Sequence, residues 1–169
     1  MGDSSASTMA SNHKQPPEQM TRFLATEADT LALGAALAPG LRPGMVIYLS
    51  GDLGAGKTTL VRGILRALGV TERVKSPTFT LLELYTISSL YLHHFDFYRF
   101  NRSEEWVDAG FREYFNSESV CLVEWPEKAG GQLPAPDVRI EMEVDGNGRS
   151  VTISAYTEAG KECLKRLQQ

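Results

Sequence analysis

"MVIYLSGDLGAGKTTLVRGILRAL", residues 45–68, decides the fold. Its first six residues are an apolar, β-branched run of the kind that forms a buried strand. In its last eleven, Leu60, Ile64 and Leu68 recur at helical spacing, with Val61 and Leu65 beside them. Between the two, Gly51, Gly56, Lys57 and Thr58 fit G-x-x-x-x-G-K-[ST] without a mismatch. A glycine loop between a buried strand and an amphipathic helix is the context in which this motif cradles phosphate. Gly51, Gly54 and Gly56 let the backbone take positive φ angles and approach an anion with no Cβ in the way. The N–H groups along Gly51, Asp52, Leu53, Gly54, Ala55 and Gly56 then form an anion nest at the positive end of the helix. Lys57 is placed to reach the β- and γ-phosphates of a nucleotide. The Thr58 hydroxyl is placed to ligate Mg²⁺, and Thr59 to touch the α-phosphate.

Magnesium needs a second anchor, usually an acid at the end of a buried strand. Two runs of β-formers end in one: "LYLHHFD" at Asp96 and "VCLVE" at Glu124. Ligands of open α/β sheets bind at such strand ends. Asp96 is expected on Mg²⁺, directly or through water. Glu124 is expected near the metal or orienting the attacking water. His93 and His94 face opposite sides of a strand, so they do not share one pocket, and both read as structural. "SPTF", Ser76 to Phe79, has two open readings: a switch-like segment whose hydroxyls approach a γ-phosphate, or a turn that starts a strand.

The rest of the chain builds outward from this loop. "TRFLA" reads as a strand, and "TEADTLALGAALA" as a helix with Thr26 and Asp29 as its capping pair, ending near Pro39-Gly40. "FTLLELYTI" and "LYLHHFDFY" read as an antiparallel hairpin, unlike the strand–helix alternation of a plain nucleotide kinase. "SEEWVDAGFREYF" reads as a helix capped by Ser103. "VRIEMEV", "DGNG" and "VTISAY" make a C-terminal hairpin, and "TEAGKECLKRLQQ" a short terminal helix. These readings give one α/β domain over 21–169, a P-loop NTPase core with a mixed parallel and antiparallel central sheet flanked by helices. Residues 1–20, rich in Ser, Pro and Gln, are expected to be a disordered tail. That tail has no secretory apolar stretch, no arginine-rich transit pattern, and Ala6 where myristoylation needs Ser or Thr.

A net charge of -4 gives no global basic field, which argues against autonomous RNA or DNA binding. Cys121 and Cys163 are too few and too far apart for a metal motif or a disulfide scaffold, so both read as packed core thiols. The cytosol is the natural compartment, and no apolar run approaches a membrane span. No N/T-K-x-D guanine-reading motif is present, which favours ATP over GTP. A small-molecule kinase is the rival reading. It needs a phosphoacceptor pocket and an arginine-bearing lid, and the stretch after Asp96 offers Arg99, Arg102 and Arg112 without a lid insertion.

"GDLGAGKTT", "SPTFTLLELY", "HFDFYR" and "VEWPEKAGGQLP" follow one another in this order. Together they resemble the bacterial TsaE (YjeE) family over residues 21–156. The resemblance implies a P-loop fold with a mixed sheet and an ATPase subunit in tRNA threonylcarbamoyladenosine modification. It implies ATP and Mg²⁺ as cofactors and slow hydrolysis by the subunit alone. It implies a TsaB–TsaD heterodimer as partner, with TsaD performing the transfer and tRNA met only indirectly. By position, Lys57, Thr58, Asp96 and Glu124 match the family's phosphate, magnesium and acidic residues. Thr78 matches its switch-like threonine, and Trp125 a tryptophan beside the nucleotide. The implied catalytic residues are Lys57, Glu124 and Thr78, and the implied metal residues are Thr58, Asp96 and Glu124.

Overall fold

The computed structural model describes residues 17–71, 82–87, 90–102, 105 and 110–169. In chain order the elements are β1 (Glu18–Leu24), α1 (Glu27–Leu37), β2 (Val46–Ser50), α2 (Lys57–Ala67), β3 (Leu82–Ile87), β4 (Leu90–Asp96), β5 (Ser119–Glu124), β6 (Val138–Asp145), β7 (Gly148–Ala155) and α3 (Glu158–Leu167). Among the described residues seven strands form one sheet in the order β1-β7-β6-β2-β5-β4-β3. Its centre is parallel: β2 pairs with both β5 and β6, and β4 with β5. Antiparallel pairs close its sides, β3 on β4 at one edge and β6–β7–β1 at the other. The mixed sheet expected from the two hairpins is therefore present, and both hairpins flank a buried parallel centre.

Strand alternation sorts the core into two layers. On one face Ile47, Leu49, Leu92, Leu122 and Ile140 pack in a single buried cluster with Leu33, Leu60, Ile64 and Leu164 of the three helices. On the other face Tyr48, Phe95, Phe97, Phe100 and Val123 form a second, aromatic cluster, with half-buried Phe111, Tyr114 and Phe115 against it. Phe95 stacks on Phe115 at 4.9 Å and Phe97 on Phe100 at 4.7 Å. Each such buried ring contributes roughly 1.5–3 kcal/mol relative to exposure.

α1 and α2 meet backbone to backbone. A Cβ on Gly34 would lie 2.3 Å from the Leu60 carbonyl, and one on Gly63 would lie 2.3 Å from the Leu31 carbonyl. Only glycine permits that approach, and it fixes α2 against α1. At the end of the sheet away from the glycine loop, Asp137 joins four elements. Its carboxylate accepts from Val46 N–H at 2.8 Å and from the Thr157 hydroxyl at 2.7 Å. Its own N–H donates to the Val46 carbonyl and its carbonyl accepts from Tyr156 N–H.

Two expectations change. β1 starts at Glu18, not Thr21, because its ladder with β7 continues to Glu18 opposite Ala155, with Gln19 Nε2 donating to Ser154 Oγ at 3.0 Å. Residues 18–20 are strand rather than tail, and residues 1–16 lie outside the described residues. The single helix read over 103–115 is interrupted: Gly110 has φ +76° and Arg112–Tyr114 is a separate 3₁₀ turn. Its cap Ser103 lies outside the described residues. Thr26 and Asp29 form the capping box expected of them, and Cys121 and Cys163 are both buried free thiols.

Candidate nucleotide-binding site

β2, β4 and β5 end at the same edge of the sheet, in Ser50, Asp96 and Glu124. Asp96 and Glu124 are register partners on neighbouring parallel strands. They and the glycine loop line a cleft of about 460 Å³, a size typical of small-molecule sites. The loop glycines take the positive φ predicted for them, 142° at Gly51, 81° at Gly54 and 104° at Gly56. A Cβ on Gly51 would lie 2.3 Å from the Met142 carbonyl, so any other residue would push the loop off β6. α2 starts at Lys57 with Gly56 as its cap, no capping side chain and no acid in its first turn. Its leading N–H groups and their partial positive charge face the cleft without a side-chain partner.

Lys57 is only 5% exposed. Its ammonium donates to the carbonyls of Gly51 and Asp52 and lies 4.3 Å from the centroid of the Trp125 ring. Burial pushes its pKa down, and the Glu124 and Asp96 carboxylates oppose that push. Thr58 Oγ1 donates to Glu124 Oε2 at 3.4 Å, and Tyr98 N–H donates to Asp96 Oδ1 at 3.0 Å. Trp125 has φ 57° and ψ 51°, and it alone among the described non-glycine residues has positive φ. A bulky side chain in that region costs roughly 1–2 kcal/mol. The strain turns the chain out of β5 directly after Glu124 and leaves the ring over Lys57.

Leu53, Gly54, Ala55, Gly56, Lys57, Thr58, Thr59, Asp96, Glu124 and Trp125 thus line one cleft. Gly51 and Asp52 do not line it; their carbonyls hold Lys57. Thr78 lies outside the described residues. Among the described residues no three His, Cys, Asp or Glu side chains form a cluster able to hold a metal. Thr58, Asp96 and Glu124 instead offer hard oxygen donors beside a phosphate loop. That fits Mg²⁺, which is bound through one or two carboxylates together with substrate phosphates and water.

Sequence reasoning missed two parts of the site. The far wall of the cleft comes from the β1–α1 junction, Leu24 to Glu27, and from the β6–β7 turn at Asn147, Gly148 and Arg149. Arg149 Nη2 donates to the Gly54 carbonyl at 3.0 Å across 95 residues of sequence, and no local pattern signals that. The second is His94. The two histidines do face opposite sides and both are buried; His93 Nδ1 lies 2.9 Å from the Tyr114 carbonyl, away from the cleft. His94 Nε2 lies 2.6 Å from Glu124 Oε2, a contact with the site that the structural reading of His94 did not include. The signal was available: His94 and Asp96 are two residues apart in a strand and share a face.

Such a fold, with its phosphate loop at the carboxyl edge of a central parallel strand, belongs to the P-loop class of α/β proteins. Comparison with known proteins narrows this. The family model described as "Threonylcarbamoyl adenosine biosynthesis protein TsaE" matches residues 24–151. A tRNA threonylcarbamoyladenosine biosynthesis protein TsaE from Haemophilus influenzae is 40% identical over 152 residues, covering 87% of this chain and 96% of the relative. The protein of that name from Bacillus subtilis is 41% identical over 128 residues, covering 75% and 80%. A crystal structure of YdiB from Bacillus subtilis matches with a TM-score of 0.78 at 31% identity, over 92% of this chain and 97% of that one. The chain belongs to the TsaE family. No helix among the described residues is long and apolar enough to cross a membrane.

Proposed function

We propose that this chain is a Mg²⁺-dependent ATPase that serves threonylcarbamoyladenosine modification of tRNA. In this reading it acts in the cytoplasm on a TsaB–TsaD pair and does not itself transfer the threonylcarbamoyl group. The observation that carries the proposal is the N-terminus of α2, which has no side-chain cap, with the Thr58 hydroxyl donating to the Glu124 carboxylate and Lys57 buried against the glycine loop. Family membership supplies the biosynthetic context. The missing guanine-reading motif favours ATP, and the net charge of -4 suits a subunit that leaves tRNA contact to its partners.

Bound at this edge, Mg-ATP supplies a γ-phosphoryl group and a cation to offset its charge. The loop N–H groups bind the phosphates and Lys57 neutralises them. The Thr58 hydroxyl and Asp96 hold the ion. Glu124 orients the attacking water and accepts its proton, Thr78 supplies a switch hydroxyl, and Trp125 flanks the nucleotide. The chain's catalytic task is positioning and charge stabilisation, which dominate phosphoryl transfer.

The test is ATP turnover in Mg²⁺ by the purified chain, alone and with TsaB–TsaD, for the unmutated protein and Glu124→Gln. Turnover should rise with the pair, and ADP and free phosphate should form in equal amounts. Glu124→Gln should bind ATP normally and turn it over about 100-fold more slowly. Turnover indifferent to the pair, or a phosphorylated acceptor in place of free phosphate, would refute the proposal and favour a kinase.

A further inference from the structure

His94 is fully buried, and its two ring nitrogens have unlike surroundings. Nε2 lies 2.6 Å from Glu124 Oε2. Nδ1 is buried with no hydrogen-bond partner among the described residues. A neutral imidazole carries one N–H, and an ionised carboxylate only accepts. The proton therefore belongs on Nε2. The opposite tautomer would set a lone pair against the carboxylate and bury an unpaired donor.

This bond divides the two oxygens of Glu124. Oε2 accepts from His94 Nε2–H at 2.6 Å and from Thr58 Oγ1 at 3.4 Å. Oε1 has no hydrogen bond among the described residues, and Glu124 lines the cleft. Asp96 stands beside Glu124 in register, so two acids share this strand-end position and repel each other. A donor fixed from inside the protein decides which way the Glu124 carboxylate turns. We propose that His94 is the positioning residue for Glu124: its Nε2–H anchors Oε2 and leaves Oε1 to hold the water that attacks the γ-phosphate. The inference rests on the ATPase reading above and adds to it a residue that does not line the cleft.

Two measurements test it. ¹⁵N NMR of the full chain should show a protonated Nε2 and a bare Nδ1 at His94, a result independent of turnover; the reverse tautomer would overturn the proposal. Kinetics should then separate donor from packing. His94→Leu fills the space without a donor, whereas His94→Gln keeps an amide N–H at similar reach. His94→Leu should lower kcat about 30-fold and change the KM for ATP less than about threefold, and His94→Gln should recover to within about fivefold of the unmutated rate. In a Glu124→Gln background His94→Leu should cost nothing further. Thermal melts confirm that each variant folds. Equal losses in His94→Leu and His94→Gln, or full turnover in both, would overturn the role of His94 alone. Absence of turnover by the unmutated chain would overturn the ATPase reading, and the water-positioning role with it.

Discussion

The N-termini of α1 and α2 lie against the same cleft and are finished in opposite ways. In α1 the Thr26 hydroxyl accepts from Asp29 N–H at 3.2 Å, and the Asp29 carboxylate accepts from the N–H groups of Ala25 and Thr26. Glu27 adds a second acid to that first turn. In α2 the cap is a left-handed glycine, the first residue is a lysine, and no acid follows. Both helices carry the same partial positive charge at this end. α1 neutralises its own, and α2 leaves its charge for an anion from outside. The difference separates a helix end closed by its own side chains from one left open to the cleft, within one short stretch of sheet edge.

The comparison breaks most severely at Lys57. Lys57→Ala should lower ATP turnover by about 100-fold or more, since it removes the charge facing the phosphates; undiminished turnover would take the loop out of the chemistry. Thr59 occupies in α2 the position that Asp29 occupies in α1, three residues after the cap. Thr59→Asp should therefore give α2 the ending of α1. Nucleotide affinity, read by calorimetry, should fall roughly tenfold, while stability is unchanged or gains up to about 1 kcal/mol. The converse change, Asp29→Ala, should cost about 1 kcal/mol in urea unfolding. It should leave nucleotide affinity within about threefold, and an affinity loss like that of Thr59→Asp would erase the distinction.

The smallest effect concerns a polar group sealed away from both helix ends. Burial pushes the His93 pKa below 6.5, and the Tyr114 carbonyl opposes the shift. As pH falls below 6.5 the unfolded chain takes up the proton first, so stability is full above that pH and declines as pH falls toward the folded value. His93→Gln should lose less stability than the unmutated chain on acidification from neutral pH. An identical loss in both would place the titrating group elsewhere.

The parts of this fold that the sequence disclosed are those whose causes are local. The loop motif, the Thr26–Asp29 box and the hairpins β3–β4 and β6–β7 each depend on residues close in the chain. Strand ends at Asp96 and Glu124 were legible because an apolar run stopped at an acid. The parallel placement of β6 beside β2, and the Arg149 bridge to Gly54, depend on residues about ninety positions apart and leave no local trace. The helix read over 103–115 failed at Gly110, where the apolar spacing carried on through a residue held at positive φ. The contact of His94 with Glu124 is different: strand alternation, which sets His93 and His94 on opposite faces, also sets His94 and Asp96 on the same one.

Asp137 carries a practical consequence for anyone trimming this chain. The family match stops at residue 151, and a fragment cut there would look like the minimal unit. It would lose Tyr156 and Thr157, and with them two of the four hydrogen bonds at Asp137. The other two hold Val46, the first residue of the strand that delivers the glycine loop. A cut at the far end of the sheet would thus loosen the root of the phosphate loop, and it would also remove Cys163, Leu164 and Leu167 of α3 from the core.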